Sequence, residues 1–226
     1  MNISYEALYV LAILLIFSVV SFIKKLLDRD GVIIANIFGL AIYLLGNFSS
    51  FLVVVIFFAV AEFATKVGRS KVGIAHERRT IGNIVGNGMP ALISLALGSL
   101  AGFYGGLSAA LADTLSSEIG MLSQTKPRLI TDLKREVEPG TDGGITPLGL
   151  LAGLFGALFI GMIYFLLHGS IAALGIITVC GVIGCIVDSI LGATFELKGK
   201  LNNMQVNFLG SASGALLAHL LSVILL

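Results

Sequence analysis

The stretch "ADTLSSEIG", residues 112–120, brings Asp113, Thr114, Ser116, Ser117 and Glu118 within six positions of an otherwise apolar segment. Carboxyls and hydroxyls at this density can bind a cation, move a proton or tie helices together. A charged group near the centre of a bilayer costs several kcal/mol and by default marks a functional site. At ~100° per residue, Asp113, Ser117 and Gly120 share one helical stripe, with Ser116 flanking it. Thr114 and Glu118 form a second stripe, and Asp113 and Glu118 stand about 140° apart, so the two need not touch the same ion.

A second stretch, "VDSILGATFE" at 187–196, repeats the theme with Asp188 and Ser189. Two carboxylates on separate helices, with hydroxyl and amide oxygens nearby, suit a Mg²⁺ ion and leave room for substrate phosphates. The plainer reading is that each Asp is hydrogen-bonded to a neighbouring helix. Asparagines add to the set. "RRTIGNIVGNG" at 78–88 carries Arg78, Arg79, Asn83 and Asn87, and "NNMQVN" at 202–207 carries Asn202, Asn203 and Asn207. N-capping accounts for Asn202 or Asn203 but not for Asn87, which lies inside a helix. The polar stretch 122–146 supplies Lys126, Arg128, Lys134 and Arg135, then a turn with Gly140, Thr141, Asp142, Gly143 and Gly144. Glycine-rich backbone presents N–H groups to anions, and Lys and Arg add charge. The chain contains no P-loop pattern.

The elements that must position these groups are membrane helices. The 226 residues are 57% hydrophobic and 12% charged, with mean hydropathy +1.01. A soluble domain has about 25% charged residues. The composition therefore gives one integral membrane domain over 1–226, an all-α polytopic bundle. Eight apolar segments fall at about 4–23, 32–46, 50–65, 83–101, 104–121, 147–167, 171–193 and 207–226. The second and third are the weakest. They read as two tilted spans or include a re-entrant hairpin, which would leave seven crossings.

All 14 Lys and Arg fall in 24–29, 66–79, 126–135 and 198–200, while 47–49, 102–103 and 168–170 contain none. The positive-inside rule puts the basic loops in the cytosol of a cell-membrane protein and both termini outside. Asp113 then lies roughly 12 Å below the cytosolic surface and Asp188 roughly 8 Å, at 1.5 Å per residue. Tyr5, Tyr43, Tyr104 and Tyr164 fall near the outer ends, where interfacial aromatics belong. The first apolar segment has no basic residue ahead of it, so it does not read as a cleavable signal. The net charge of +1 says nothing useful by itself, and no nucleic-acid partner is expected. Small-xxx-small patterns at Gly98/Gly102/Gly106, Gly149/Gly153 and Gly210/Gly214 imply either dense packing within the bundle or a homodimer face. Cys180 and Cys185, five apart on one helix, read as packing residues rather than a disulfide.

Taken in order, "RRTIGNIVGNG", "ADTLSSEIG", "PRLIT" (127–131), "EPGTDGGIT" (138–146), "VDSILGAT" (187–194) and the closing asparagines resemble the integral-membrane phytyl-phosphate kinase family. The resemblance runs from about residue 30 to the end. The family is in turn distantly similar to dolichol kinases and CDP-diacylglycerol synthases. One departure is Glu196, where many members have Gln. The resemblance implies transfer of a phosphoryl group from a nucleoside triphosphate, CTP for preference, to a prenyl monophosphate such as phytyl or geranylgeranyl phosphate at the cytosolic face. It makes Asp113, Glu118 and Asp188 the acidic group for a divalent cation, Mg²⁺. Arg78, Arg79, Lys126 and Arg128 then supply positive charge, Asn83, Asn87 and Asn207 orient phosphates or metal ligands, and the 126–144 loop closes over the nucleotide. Two rivals stand beside this reading. One is a cytidylyltransferase making a CDP-lipid, or a polyprenol kinase, of the same superfamily. The other is a secondary transporter whose intramembrane acids relay protons.

Overall fold

The computed structural model describes residues 5–72 and 81–226. These form eight α-helices: α1 Tyr5–Lys24, α2 Arg29–Leu45, α3 Phe48–Val72, α4 Ile81–Ala96, α5 Leu100–Gly120, α6 Pro147–His168, α7 Ile171–Leu191 and α8 Asn203–Leu225. Five segments are long and apolar enough to cross a membrane: α1, Phe48–Gly68 of α3, α6, α7 with the turn that follows it, and α8. The protein is thus an all-α polytopic membrane protein. The region 32–65 is two separate helices, α2 and α3, joined through Gly46 and Asn47. The loop between α5 and α6 is ordered into strands. It forms a small antiparallel sheet of β1 Arg128–Leu129, β2 Asp132–Glu136 and β3 Gly144–Ile145, in the order β2-β1-β3.

Local chemistry sets the helix starts. Ser99 caps α5 by accepting from Gly102 N at 3.0 Å. Thr146 caps α6 in the same way at Gly149 N, with Pro147 at the first position, where its missing N–H costs nothing. Asn202 and Gln205 make a reciprocal capping box at α8, each bond 3.0 Å.

The core is organised around α5, which α3, α4, α6, α7 and α8 all pack against. Fourteen of its 21 residues are buried. That surround explains how α5 can carry "ADTLSSEIG": it is shielded from lipid, and polar groups are tolerated at membrane depth where protein encloses them. Ser108 Oγ donates to Ile177 O at 3.1 Å, tying α5 to α7. Small residues set the spacing. A Cβ on Gly184 would stand 2.5 Å from Ala109 Cβ and 2.8 Å from Gly210 O, so α5, α7 and α8 meet almost backbone to backbone there.

The glycines at 106, 149, 153, 210 and 214 likewise abut helices of the same chain. At these five positions they serve internal packing. Cys180 and Cys185 are free and buried. Tyr104 departs from the interfacial reading: it is buried, edge-on to Tyr164 at 5.0 Å between ring centroids.

Gly184→Val overpacks the three-helix contact and is expected to destabilise by about 1–3 kcal/mol. Gly175→Ala, where a Cβ meets nothing within 4 Å, leaves stability unchanged or slightly raised. Apparent melting temperatures in detergent check both, with the Val variant below wild type and the Ala variant not.

Candidate active site

A cavity of about 570 Å³ is lined by the C-terminal half of α5, the ends of α3 and α7, the starts of α4 and α8, and the 127–146 segment. The helix ends that border the basic loops therefore gather on one side of the bundle, as the alternation of charge along the chain requires. Asp113 and Asp188, from α5 and α7, come within side-chain hydrogen-bonding range of each other across this cavity. Close packing makes that meeting feasible: a Cβ on Gly210 of α8 would fall 2.8 Å from Asp188 Cβ. Glu118 is buried one and a half turns beyond Asp113 and lines the same cavity.

Two further acids join them. After α7 the chain makes a π-helical turn, Gly192–Glu196, in which Leu197 N donates to Gly192 O at 3.1 Å. π-turns insert a residue and often sit at functional sites. This one puts Glu196 on the cavity wall beside Asn203. Asn203 Oδ1 accepts from Asn207 Nδ2 at 3.2 Å. Asp142 arrives from the loop. Gly143 has φ +72°, and a Cβ there would lie 2.5 Å from Ala193 N and 2.6 Å from Ser189 O, so the loop tip is seated directly on the α7 end. Ile130 N donates to Gly143 O at 2.9 Å and fastens the tip to the small sheet. Burial pushes the Asp142 carboxyl up from its ordinary value.

Five carboxyls thus line one cavity: Asp113, Glu118, Asp142, Asp188 and Glu196. No Lys or Arg lines it among the described residues. Acids so arranged call for protons or a cation between them. Among the described residues no three His, Cys, Asp or Glu converge tightly enough to form a metal-ligand cluster. The five acids are spread around the wall, with Asp113 and Asp188 as the contacting pair. Ser116, Ser117, Ser189, Thr114, Asn83 and Asn87 supply neutral oxygens. A pair of carboxylates plus neutral and phosphate oxygens is a donor set suited to Mg²⁺.

Of the expected site residues, Asp113, Glu118, Asp188, Asn83, Asn87, Asn207, Gly140, Thr141, Asp142, Gly143 and Gly144 all line this cavity. Arg78 and Arg79 lie outside the described residues. Lys126 and Arg128 do not line the cavity. Arg128 donates to Leu133 O at 3.2 Å and faces Glu136 at 3.8 Å, because the β1–β2 pairing turns it toward the outer strand. Thr65 and Asn203 also line the cavity; the sequence singled out no role for Thr65, read Asn203 as a cap, and left Glu196 without a role. The Asn203–Asn207 spacing of four was the available signal for Asn203.

A bundle of apolar helices with an acid-lined cavity at one end is an integral membrane protein with a polar site at a membrane face. The chain belongs to the DUF92 integral membrane protein family, whose pattern matches residues 12–215. It is 36% identical to an uncharacterized membrane protein of Methanocaldococcus jannaschii over 221 residues, 93% of this chain and 92% of that one. An uncharacterized membrane protein of a Synechocystis strain is 31% identical over 218 residues, 86% of this chain and 82% of that one. The Arabidopsis thaliana protein named VTE6, chloroplastic, is 28% identical over 222 residues, 88% of this chain and 66% of that protein. No solved structure matches the chain.

Gly143→Val is expected to unseat the loop. At about 1–3 kcal/mol for the overpacked contact, trypsin cleavage at Lys134 and Arg135 should quicken about tenfold, read by mass spectrometry of the fragments.

Proposed function

We propose that this protein is a prenyl-phosphate kinase, moving the γ-phosphoryl group of a nucleoside triphosphate, CTP for preference, onto a prenyl monophosphate. A phosphate oxygen of the lipid attacks the γ-phosphorus, the bond to the bridging oxygen breaks, and the nucleoside diphosphate leaves. The second pKa of a phosphate monoester is about 6, so the attacking oxygen is already anionic and the reaction needs no general base. Its difficulty lies in bringing two anions together in line, which is a matter of positioning and charge neutralisation.

The observation that carries the reading is the meeting of Asp113 and Asp188 in an acid-lined cavity without a basic side chain among the described residues. Carboxyls gathered in this way favour a metal-bound nucleotide over a bare one. Asp113 and Asp188 would hold Mg²⁺, with Glu118, Asp142 and Glu196 adding negative potential around it. When bound, the ion neutralises phosphate charge on donor and acceptor. Asn83, Asn87 and Asn207 donate amide hydrogens to phosphate oxygens. The seated loop from Gly140 to Gly144 shields the nucleotide from water. The resemblance of the chain's motifs to those of phytyl-phosphate kinases supports a prenyl lipid as acceptor.

The cavity draws its polar lining from one end of the bundle, which favours a one-sided site over a transport path. The positive-inside rule makes that end cytosolic. A cytidylyltransferase would use the same metal-bound nucleotide and differs in its products, CDP-lipid and pyrophosphate instead of lipid diphosphate and CDP.

Purified protein in nanodiscs with CTP, Mg²⁺ and geranylgeranyl phosphate should yield the diphosphate and CDP. Asp113→Asn and Asp188→Asn should each lower turnover at least about a hundredfold, the scale for losing one preorganised electrostatic contact. Chelation by EDTA should abolish activity and added Mg²⁺ restore it. Near-normal turnover in both variants with unchanged Mg²⁺ dependence would rule out the metal assignment, and release of pyrophosphate would replace the kinase by the transferase.

A further inference from the structure

A second cavity, of about 310 Å³, lies between α1, α2, α3 and α4, closed toward the core by Leu107 of α5. Its lining is almost wholly apolar. The polar residues on it are Glu62, Asn83 and Asn87. Asn83 and Asn87 also line the acid cavity, so two chambers of opposite character share one wall. An apolar chamber does not hold ordered water, because water needs polar partners. Its size falls in the ~300–1,000 Å³ range of ligand pockets. Val20 and Ala59 line it and are exposed on the flank of the bundle, where a membrane protein meets lipid. Two glycines in its lining let neighbouring side chains pack closely against the backbone. A Cβ on Gly39 would stand 2.9 Å from Leu14 Cδ2, and one on Gly88 would stand 3.0 Å from Phe38 Cε1.

The geometry points to one occupant: the hydrocarbon tail of the lipid phosphate, whose head group lies in the acid cavity. This rests on the reading of that cavity as a phosphate-transfer site. An amphiphile with an anionic head and a long apolar tail matches a polar chamber that adjoins an apolar one at Asn83 and Asn87. The pair of asparagines then marks the head–tail junction. The tail enters sideways from the bilayer past Val20 and Ala59, and the far wall around Gly39, Phe51 and Ile42 sets how long a tail fits.

The test needs no turnover. Geranylgeranyl phosphate with a diazirine at the tail end is incorporated with the protein in nanodiscs and photolysed without nucleotide, and the adducts are mapped by peptide mass spectrometry. Adducts are expected on the α1–α4 residues that line the chamber. Ala35→Phe and Val55→Phe, which fill it, should lower that labelling about tenfold, since even one methylene changes selection in an apolar pocket by 10-fold or more. A geranyl phosphate probe should be affected less. Should a variant fail to fold, the wild-type adduct map decides alone. Tail-end adducts confined to the outer faces of α6, α7 or α8, or labelling indifferent to both variants in folded protein, would overturn the proposal. Labelling in the chamber without kinase activity would refute the kinase reading and leave the tail site standing. Kinase activity with adducts elsewhere would do the reverse.

Discussion

Two carboxyls, Asp113 on α5 and Asp188 on α7, meet inside a bundle of apolar helices, and much of the rest of the structure follows from making that meeting tolerable. Like charges at such range in a poorly polarisable setting cannot both stay ionised unless something positive stands between them. The bundle supplies no Lys or Arg to the lining among the described residues. It supplies more acids instead. On the proposed reading, a cation arriving with the substrate would balance these acids and couple nucleotide binding to charge balance.

The architecture serves this requirement in two ways. Close helix contacts at Gly184 and Gly210 bring α5, α7 and α8 near enough for side chains as short as aspartate to reach each other. Enclosure of α5 by five neighbours keeps its polar residues away from lipid, so their cost falls on the protein interior, where hydrogen bonds offset it. The loop docked through Gly143 and the π-turn at the end of α7 then close the wall with Asp142 and Glu196. On the far side of Asn83 and Asn87 the chemistry changes abruptly to hydrocarbon. Pro90 lies one turn beyond Asn87, and with no N–H it leaves the Gly86 carbonyl without its helical donor, next to the same wall.

Much of the site was legible in the chain because acids and asparagines in apolar helices are costly and so conspicuous. Asp113, Asp188 and Asn87 stand out for that reason, and the alternation of basic loops identified the end of the bundle that holds them. What stayed hidden has physical causes. Glu196 reaches the cavity through a π-turn, whose extra residue breaks the 3.6-residue period that sequence reading assumes. Thr65 is invisible because a threonine in a helix bonds its own backbone, here Ala61 O at 3.0 Å, and so costs little anywhere. Arg128 looked like a phosphate ligand until the short β1–β2 pairing fixed its direction toward Glu136. The apolar chamber could not be foreseen at all, since leucine and phenylalanine lining a cavity read the same as those facing lipid.

The central claim is that Asp113 and Asp188 together hold a divalent cation. It is tested most directly by titrating Mn²⁺ into the purified protein and following free ion by electron paramagnetic resonance, with and without CTP. The account predicts saturable binding that CTP tightens, lost when Asp113→Asn and Asp188→Asn are combined in protein that keeps its fold. Mn²⁺ binding of unchanged strength in that double variant would contradict it.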